Sequence, residues 1–396
     1  MKLSEKTGLC ATGRPVRYGP PTGLLEFMRQ VEKPGLINLA AGVPSPSLLP
    51  VEELKQAFRS ATALEGREMW AYQRPEGHAG LRGQIARNLV KRGVRAGPED
   101  VLLTTGCTQA LHLAISTLTG PGDLVACESP GYYNMLEQIY ATGARVLPLP
   151  VDMNSGLLLD VAALLLKKHR PKCLVVCSSL SNPSGATLSP VKRKDLARLC
   201  GELGIVVIED DIYGELCDGG APNPVRAYDD GSHVIYVSSF CKSVSPGLRV
   251  GCMLPGKWFE RVARLKCNSD LHSSVVAEAT LCAFLQRGGL ERHLAKLHAQ
   301  CRRRRESVRR AVLQHFPAGT KVSDPQGGFL LWVELPYKLD SAAWSERAKS
   351  RGVSFARGEV FLTSPARRGC LRLNCARAEE SDLEKGIRIL AELLEI

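Results

Sequence analysis

Residues 205–213 read IVVIEDDIY, and their pattern indicates the class of fold. Four consecutive β-branched aliphatic residues are followed by Glu209, Asp210 and Asp211, and then by Tyr213. A short run that is apolar at every position is typical of a strand covered on both faces, as in a parallel sheet. The acidic residues therefore come at the carboxyl end of a predicted strand, where open α/β sheets bind their ligands.

Similar runs occur on both sides of this stretch, at residues 101–105, 124–127, 173–177, 234–238 and 250–254. Segments with helical spacing of apolar residues separate them, such as the segment around Leu111, Ala114 and Leu118. Strands that alternate with helices predict βαβ units. The predicted fold class is therefore α/β, with three layers around a mostly parallel central sheet.

The character of the sequence changes from about Pro255 onward. A long helical pattern over residues 289–316 leads to a Gly327-Gly328 break, the alternating run 329–333 and a strand candidate at 370–374. We therefore predict three parts. Residues 1–45, rich in Gly and Pro, form an extended arm that contributes to the small domain, residues 46–285 form a large cofactor-binding domain, and residues 286–396 form a smaller α+β domain. The arm is also too short for a helix-turn-helix domain and its linker.

Composition restricts the class of protein. The chain has 396 residues, 44% of them hydrophobic, which is enough for a substantial core and excludes general disorder. Its longest apolar stretch, residues 157–166, is interrupted by Asp160 and is too short to span a bilayer. The first residues, MKLSEK, lack the apolar run of a secretory signal. We expect a soluble, cytoplasmic protein with no membrane partner.

Charge and cysteine content point the same way. The net charge of +12 favours anionic ligands, such as a phosphorylated cofactor or carboxylate substrates. The arginines at 302–305 indicate a solvated helix face, since no aromatic residues for base stacking accompany them, and we expect no nucleic-acid partner. The 14 cysteines are scattered without a Cys-x-x-Cys pair, so we expect buried thiols in a reducing compartment and no metal site.

Polar residues follow the predicted strands at the edge where ligands collect. They are Gly106-Cys107-Thr108 at a helix start, Asn182, Asp210 with Tyr213, and Ser239 with Lys242 and Arg249. A phosphate cradle, an amide, an acid, an amine and a guanidinium are thereby predicted to lie on one rim of the sheet.

This set, in this order, resembles the fold-type I pyridoxal-phosphate enzymes, specifically the class I and II aminotransferases. Within them it is most similar to the aminoadipate/kynurenine aminotransferase group and to the aminotransferase-like domain of MocR-type regulators. The resemblance runs from about Gly35 to the C-terminus. The segments that carry it are residues 72–77 (YQRPEG), 128–132 (ESPGY), 182–185 (NPSG), 209–213 (EDDIY), 239–242 (SFCK), 246–249 (PGLR), 327–329 (GGF) and 371–373 (LRL).

The resemblance implies pyridoxal 5'-phosphate as cofactor and assigns roles around its ring. Lys242 forms the Schiff base with the aldehyde, since this needs a primary amine, and then moves the α-proton. Asp210 faces the pyridine nitrogen, whereas Asp211 is read as an N-capping residue. Tyr213 and Asn182 hydrogen-bond the phenolic oxygen, and Tyr132 stacks on the ring.

The resemblance also implies a phosphate site and a dimer. The backbone N–H groups of Cys107 and Thr108, after Gly106, would bind the phosphate together with Ser239 and Arg249. Relatives commonly have Ser-Gln where this chain has Cys107-Thr108, and serine at Cys241, so one hydroxyl contact to the phosphate is lost. Tyr72 resembles the tyrosine that reaches the neighbouring subunit's cofactor, which implies a homodimer with shared active sites.

Arg372 resembles the arginine that binds the substrate α-carboxylate, with Gly42 and Asn182 beside the same group. The implied activity is transfer of an amino group from an L-amino acid to a 2-oxo acid in a ping-pong cycle. Two alternatives stay open on the same residues. One is a pyridoxal-phosphate lyase, decarboxylase or oxidase of a specialised biosynthetic pathway, and the other is a MocR-type sensor domain that binds the cofactor.

Overall fold

The structure, a computed structural model, describes residues 8–9, 15–16, 35–363 and 369–394. The helices of this described part are α1 (Val51–Glu65), α2 (Ala79–Lys91), α3 (Cys107–Leu118), α4 (Tyr133–Ala141), α5 (Leu159–His169), α6 (Pro190–Leu203), α7 (Phe259–Asp270), α8 (Val275–Gln286), α9 (Gly289–His315), α10 (Ser341–Ser350) and α11 (Glu380–Glu392). The strands are β1 (Gly8–Leu9), β2 (Pro15–Val16), β3 (Ile37–Leu39), β4 (Leu102–Thr104), β5 (Leu124–Ser129), β6 (Arg145–Asp152), β7 (Gly156–Leu157), β8 (Cys173–Val176), β9 (Val206–Asp210), β10 (Val234–Ser239), β11 (Gly251–Leu254), β12 (Lys321–Val322), β13 (Leu330–Glu334), β14 (Val353–Arg357) and β15 (Cys370–Asn374).

An eight-stranded central sheet has the order β4-β11-β10-β9-β8-β5-β6-β7. Strands β10, β9, β8, β5 and β6 pair in parallel, and β4 runs in their direction because it is antiparallel to β11, which is itself antiparallel to β10. The carboxyl ends of these six strands therefore share one edge. The amino end of β11 lies at that edge as well, so the residues just before β11 are brought to the same place.

Helices cover both faces of this sheet, because successive residues of a strand point to opposite sides. On β8, Cys173 and Val175 pack with α3, α4 and α7, whereas Leu174 and Val176 pack with α5 and α6. All four of these β8 side chains are buried. The predicted three-layer α/β fold with a mostly parallel central sheet is confirmed.

A second sheet of five strands, in the order β12-β13-β15-β14-β3, lies beside the central one. Its strand β3 comes from the predicted N-terminal arm and pairs in parallel with β14. Helices α9, α10 and α11 pack on this sheet around Trp344 and Leu371. These contacts support the predicted contribution of the arm to the small domain, while the boundaries at residues 45 and 285 stay predictions.

Strand β6 is an element that the sequence analysis did not identify. Its residues include Pro148 and Pro150, and proline inside a run argues against a central strand. The two prolines are two residues apart and so share one orientation, which leaves the intervening N–H groups for the ladder with β5. On its other side β6 meets only the two-residue strand β7, so it behaves largely as an edge strand.

The arginine run on α9 binds to neighbouring segments, whereas the sequence indicated a solvated face. Arg305 is buried and donates to the Asp218 carboxylate at 2.6 Å and to the Gly328 carbonyl at 2.9 Å. Arg304, also buried, donates to the Ala378 carbonyl at 3.0 Å. These side chains fasten α9 to the segments on either side of it, which periodicity alone does not reveal.

Candidate active site

A cavity of about 480 Å³ opens at the carboxyl edge of the central sheet, next to the second sheet. Ten of the thirteen predicted site residues line it: Gly42, Cys107, Thr108, Tyr132, Asn182, Asp210, Tyr213, Lys242, Arg249 and Arg372. Gly106 and Ser239 adjoin it without lining it, and Tyr72 lies elsewhere. The cavity therefore brings together side chains from both sheets.

Asp210 ends β9 and points into the cavity. Its carboxylate oxygen Oδ1 accepts hydrogen bonds from the Cys107 thiol at 3.3 Å and from the Ile212 backbone N–H at 3.1 Å. Burial raises the pKa of Asp210 to about 6, although both hydrogen bonds favour the carboxylate and act in the opposite direction. The carboxyl is therefore poised to exchange a proton near neutral pH with a group that enters the cavity.

The Cys107 thiol does not face the phosphate site that the family resemblance implies for this position. It turns toward Asp210, while the backbone of Cys107 still begins α3. The Cys107 side chain therefore donates a hydrogen bond to the Asp210 carboxylate instead of contacting a phosphate.

Lys242 follows β10 and lies partly buried in the same cavity. Its Nζ donates to the Gly42 carbonyl at 2.6 Å, across the boundary between the two sheets. Burial, together with the nearby Arg372 and Arg249 guanidinium groups, lowers the pKa of Lys242 to about 8. A substantial fraction of the amine is thus neutral near physiological pH, the form that attacks an aldehyde.

A candidate anion site lies at the start of α3, where Gly106 precedes the helix. Gly106 has a φ of 78°, and a Cβ at this position would lie 2.6 Å from the Arg249 Nη2. Arg249 itself has a left-handed φ of 53°, a conformation that non-glycine residues rarely adopt, and this directs its guanidinium to the helix start. Backbone N–H groups and a guanidinium therefore converge where an anion would bind.

Two of the predicted phosphate-binding side chains make contacts within the protein. The Ser239 hydroxyl donates to the Val250 carbonyl at 2.9 Å and accepts from the Cys241 N–H at 3.1 Å. Arg249 Nη1 donates to the Cys241 sulfur at 3.2 Å. The predicted role of Ser239 in phosphate binding stays a prediction.

Arg372 comes from β15 and is fully buried at the second-sheet side of the cavity. Its Nη1 donates to Asn182 Oδ1 at 2.9 Å, and its Nη2 donates to the Ala40 carbonyl. The guanidinium carbon lies 4.9 Å from the Phe361 ring centroid. A guanidinium held in this way presents a fixed fork, which suits a carboxylate.

Two aromatic side chains complete the walls. Tyr213 is buried and packs edge-on against Phe329, with ring centroids 6.1 Å apart. Tyr132 follows β5 at the same edge of the sheet, with its ring centroid 5.1 Å from that of Tyr133. Burial raises the pKa of both Tyr132 and Tyr213, so both phenols stay protonated and available as donors.

Tyr72 is placed outside this cavity. Its side chain is 84% exposed, and its ring packs edge-on against His272 at 5.3 Å. Trp70 nearby is also exposed, at 66%. An exposed tyrosine beside an exposed tryptophan is compatible with a site shared between two subunits, the arrangement that the resemblance implies.

The interpretation of Asp211 as an N-capping residue is wrong. Its carboxylate is buried and pairs with Arg92 Nη2 at 2.6 Å, while the Tyr236 hydroxyl donates to it at 3.0 Å. The short helix that follows, Gly214–Leu216, has no side-chain cap. Sequence spacing does not reveal this pairing, because Arg92 is 119 residues away.

Tyr133 and Cys177 also line the cavity, although the sequence analysis assigned them no role. Tyr133 lies 5.3 Å from Phe361, and Arg372 opposes the effect of burial, which raises the pKa of this phenol. The repeated tyrosine directly after Tyr132 is the signal that could have pointed to it.

The cavity residues fit pyridoxal phosphate. The volume of the cavity is large enough to hold a cofactor together with a small substrate. The glycine cradle with Arg249 suits the phosphate, the Asp210 carboxyl suits a ring nitrogen, and Lys242 suits the aldehyde. Within the described residues, no group of three or more His, Cys, Asp or Glu side chains is arranged to hold a metal ion.

Comparisons with known proteins agree with this geometry. The family model "Aminotransferase class I and II" matches residues 34–390. The chain is 31% identical over 374 residues to 2-aminoadipate transaminase of Thermus thermophilus, covering 93% of this chain and 92% of that protein. It is 30% identical over 379 residues to the HTH-type transcriptional regulator YdcR of Escherichia coli, covering 94% and 80%. The kynurenine aminotransferase structure of Pyrococcus horikoshii superposes with a TM-score of 0.89 at 28% identity, covering 95% of each chain.

Proposed function

The chain belongs to the class I and II aminotransferase family and is a pyridoxal-phosphate-dependent transferase, and from this premise we propose that it moves the amino group of an L-amino acid to a 2-oxo acid in a ping-pong cycle. The observation that carries the proposal is the convergence of Lys242, Asp210 and Arg372 on one cavity. These residues come from separate elements, and an amine, a buried acid and a fixed guanidinium in one cavity are the groups that this transfer requires.

Lys242 and Asp210 divide the proton chemistry. When bound, the cofactor withdraws electrons from the α-carbon of the substrate and makes its proton acidic. The Nζ of Lys242 accepts this proton and returns it, which its pKa of about 8 permits near neutral pH. The Asp210 carboxylate holds a proton on the ring nitrogen, and the Cys107 thiol orients that carboxylate.

Arg372 fixes the substrate. Its guanidinium binds the α-carboxylate, and the Asn182 amide beside it sets the orientation of the fork. The Gly42 backbone lies against the same guanidinium, since a Cβ there would be 3.5 Å from Nη1. Both amino acids and 2-oxo acids carry a carboxylate, so one arginine serves both halves of the cycle.

We propose that the active form is a homodimer with shared sites. Exposed Trp70 and Tyr72, together with the half-exposed Leu271, supply apolar area for such an interface. Tyr72 would then reach the phosphate of the partner subunit's cofactor. This placement accounts for its absence from the cavity of its own chain.

The decisive experiment supplies the reconstituted protein with a panel of L-amino acids and 2-oxoglutarate. Glutamate formation that depends on both partners supports transamination. Release of ammonia, carbon dioxide or pyruvate without an oxo-acid acceptor supports elimination, decarboxylation or oxidation and contradicts the proposal. Kynurenine and 2-aminoadipate belong in the panel because relatives are named for these substrates.

A sensor is the second candidate, favoured by the match to the HTH-type regulator YdcR over 80% of that protein's length. Such a protein would bind the cofactor through the same residues and respond to an amino acid without turnover. A mobility-shift assay distinguishes the two, because tight sequence-specific DNA binding without glutamate formation favours the sensor.

We also propose a reducing, cytoplasmic compartment. All thirteen cysteines in the described part of the chain are free, and eleven of them are buried. Thiols in this number persist where the environment keeps them reduced. Among the described helices, none is both long enough and apolar enough to cross a bilayer.

A further inference from the structure

Strand β9 ends with Glu209 and Asp210, and Asp211 follows directly, so three acidic residues come in a row with side chains that alternate between two sides. Asp210 points into the cavity, so Glu209 and Asp211 point to the opposite side. All three are buried. Three neighbouring carboxyl groups in a buried environment repel one another when ionised, so the fold must compensate for two of them if the third is to act as an anion.

Asp211 is compensated by Arg92, the C-cap residue directly after α2. Arg92 Nη2 lies 2.6 Å from Asp211 Oδ2, which also accepts from the Tyr236 hydroxyl at 3.0 Å. Ser179 donates to the other oxygen at 2.6 Å. Arg92 is itself fixed by the Pro222 carbonyl, at 2.8 Å from Nη2 and 3.1 Å from Nε. The Asp211 charge is thus paired and hydrogen-bonded.

Glu209 is compensated in a similar way on the same side. Its Oε1 accepts from the Ser178 hydroxyl at 2.5 Å and from the Val225 N–H at 2.7 Å, and its Oε2 accepts from the Arg226 N–H at 2.9 Å. The Arg193 guanidinium lies 3.9 Å from Glu209 and donates to Ser178 and Ser179. One arginine network therefore joins both flanking acids to the loop that leads to Asn182.

We propose that Arg92, through its pair with Asp211, is a positioning residue for the proposed transferase reaction: it neutralises the acid next to Asp210 and leaves Asp210 as the anion that faces the cofactor. The proposal rests on the proposed function, because it assigns the Arg92–Asp211 pair a role only in a protein that uses Asp210 toward bound pyridoxal phosphate. Two buried arginines also hold β9 in the register that directs Asp210 into the cavity, since a slip of one residue would place Asp211 there instead.

Other charged and titratable groups act on Asp210 from the elements packed around it. They come from α3, from β5 and the loop after it, and from the residues that follow β8, β9 and β10. These groups are Cys107, Glu128, Tyr132, Cys177, Asp211, Tyr213 and Lys242. Burial raises the pKa of Glu128 to about 8, so this neighbour is largely protonated at neutral pH. Asp211 is the acid that the arginine must compensate.

The test measures the visible absorption of the bound cofactor as a function of pH, in the holoprotein without substrate. Arg92→Met leaves a negative charge near the cofactor, and we expect the midpoint of the spectral titration to move up by about one pH unit. Asp211→Asn makes the site one charge more positive, because Arg92 keeps only the more distant Glu215, 3.9 Å from Nη1, as an acidic partner, and the midpoint should move down by a similar amount. The double variant removes both charges and should return the midpoint to that of the wild type.

Arg92→Lys serves as the charge-conserving variant and should keep the wild-type midpoint. Arg198→Met, which removes a 63%-exposed arginine from α6, is the matched surface control. Shifts in the same direction for Arg92→Met and Asp211→Asn, or a double variant that fails to return, would contradict the electrostatic role. A wild-type protein that shows no visible absorption after addition of pyridoxal phosphate would instead contradict the proposed function itself.

Discussion

At the scale of single residues, the Asp210 carboxyl is buried beside Cys107, and its pKa rises from an ordinary value of 3.8 to about 6. The cofactor-free folded protein therefore binds an extra proton between about pH 4 and pH 6, relative to the unfolded chain. Stability consequently falls as the pH rises through this window and stays lower above it. The acid that serves the reaction destabilises the protein when the cofactor is absent.

Asp210→Asn should therefore stabilise the cofactor-free protein by about 2–3 kcal/mol at pH 8, because the neutral amide avoids the burial of a charge. Its oxygen still accepts from Cys107 and Ile212. Urea unfolding at pH 8 and at pH 4.5 checks this, because the gap should shrink to about 1 kcal/mol at the lower pH, where the carboxyl of the unfolded chain is still mostly ionised. An equal gap at both values would show that ionisation is not the cause.

Lys242→Ala should abolish both the visible absorption of the reconstituted protein and its turnover. Among the described residues, no other primary amine lines the cavity. The variant therefore lacks the amine whose pKa, lowered to about 8, permits attack on the aldehyde. Absorption spectra and coupled assays measure the two effects, while far-ultraviolet circular dichroism confirms that the variant folds. Activity retained in the variant would remove Lys242 from the mechanism.

Arg372→Ala should raise KM by at least about tenfold, while the reconstituted variant still binds the cofactor and keeps its visible absorption. A charge-assisted bidentate contact to a carboxylate accounts for a loss of this size. Steady-state kinetics with the best substrate of the panel give the KM. Normal kinetics in a folded variant would exclude the arginine from carboxylate binding.

At the scale of elements, α9 illustrates how one helix joins distant segments through buried charges. Arg305 reaches Asp218 and the Gly328 carbonyl, while Arg302 approaches the same carboxylate at 3.3 Å. The two glycines at 327 and 328 hold the backbone against residues 216–218, where a Cβ on Gly327 would lie 2.4 Å from the Leu216 oxygen. The helix thereby fixes the junction between the two sheets.

Arg305→Ala should lower the free energy of unfolding by about 2 kcal/mol, because it leaves the Gly328 carbonyl unpaired and Asp218 with one weaker partner. Arg310→Ala, which removes an exposed arginine from the same helix, should change it by less than about 0.5 kcal/mol. Urea unfolding of both variants gives the comparison. Equal losses in the two variants would mean that the specific contacts of Arg305 do not stabilise the fold.

For the whole molecule, we expect a homodimer with shared sites to recover a definite fraction of its active sites when two inactive variants exchange subunits. Lys242→Ala and Tyr72→Ala chains are each expected to bind cofactor poorly or not at all. When the two are mixed and allowed to exchange subunits, each mixed dimer combines an intact Lys242 with the partner subunit's intact Tyr72 at one site. About a quarter of all sites should then recover.

Cofactor absorption of the mixture, with gel filtration to establish the dimer, measures this recovery. Mixing two batches of Lys242→Ala provides the control and should restore nothing. A mixture of the two variants that recovers no sites would contradict the assignment of Tyr72 to the partner subunit's cofactor.

The α/β fold and the group of residues at one edge of the central sheet follow from the pattern of the chain alone. Apolar runs with β-branched residues predict strands, and parallel strands place their carboxyl ends together, so the residues that follow each run must meet. Strand β6 was not predicted, because its two prolines are more typical of a loop than of a strand. The local sequence pattern is sufficient to predict helices and strands, and to predict which residues meet because parallel strands run in the same direction.

The way the site residues are held depends on contacts that form only in the folded chain. The contact between Arg372 and Asn182 joins residues 190 positions apart, and the pair between Arg92 and Asp211 joins residues 119 apart. Neither pairing leaves a periodic signal in the chain, because each arises when separate elements pack together. The pKa of Asp210 follows from the same packing, since burial and neighbouring charge exist only in the folded protein.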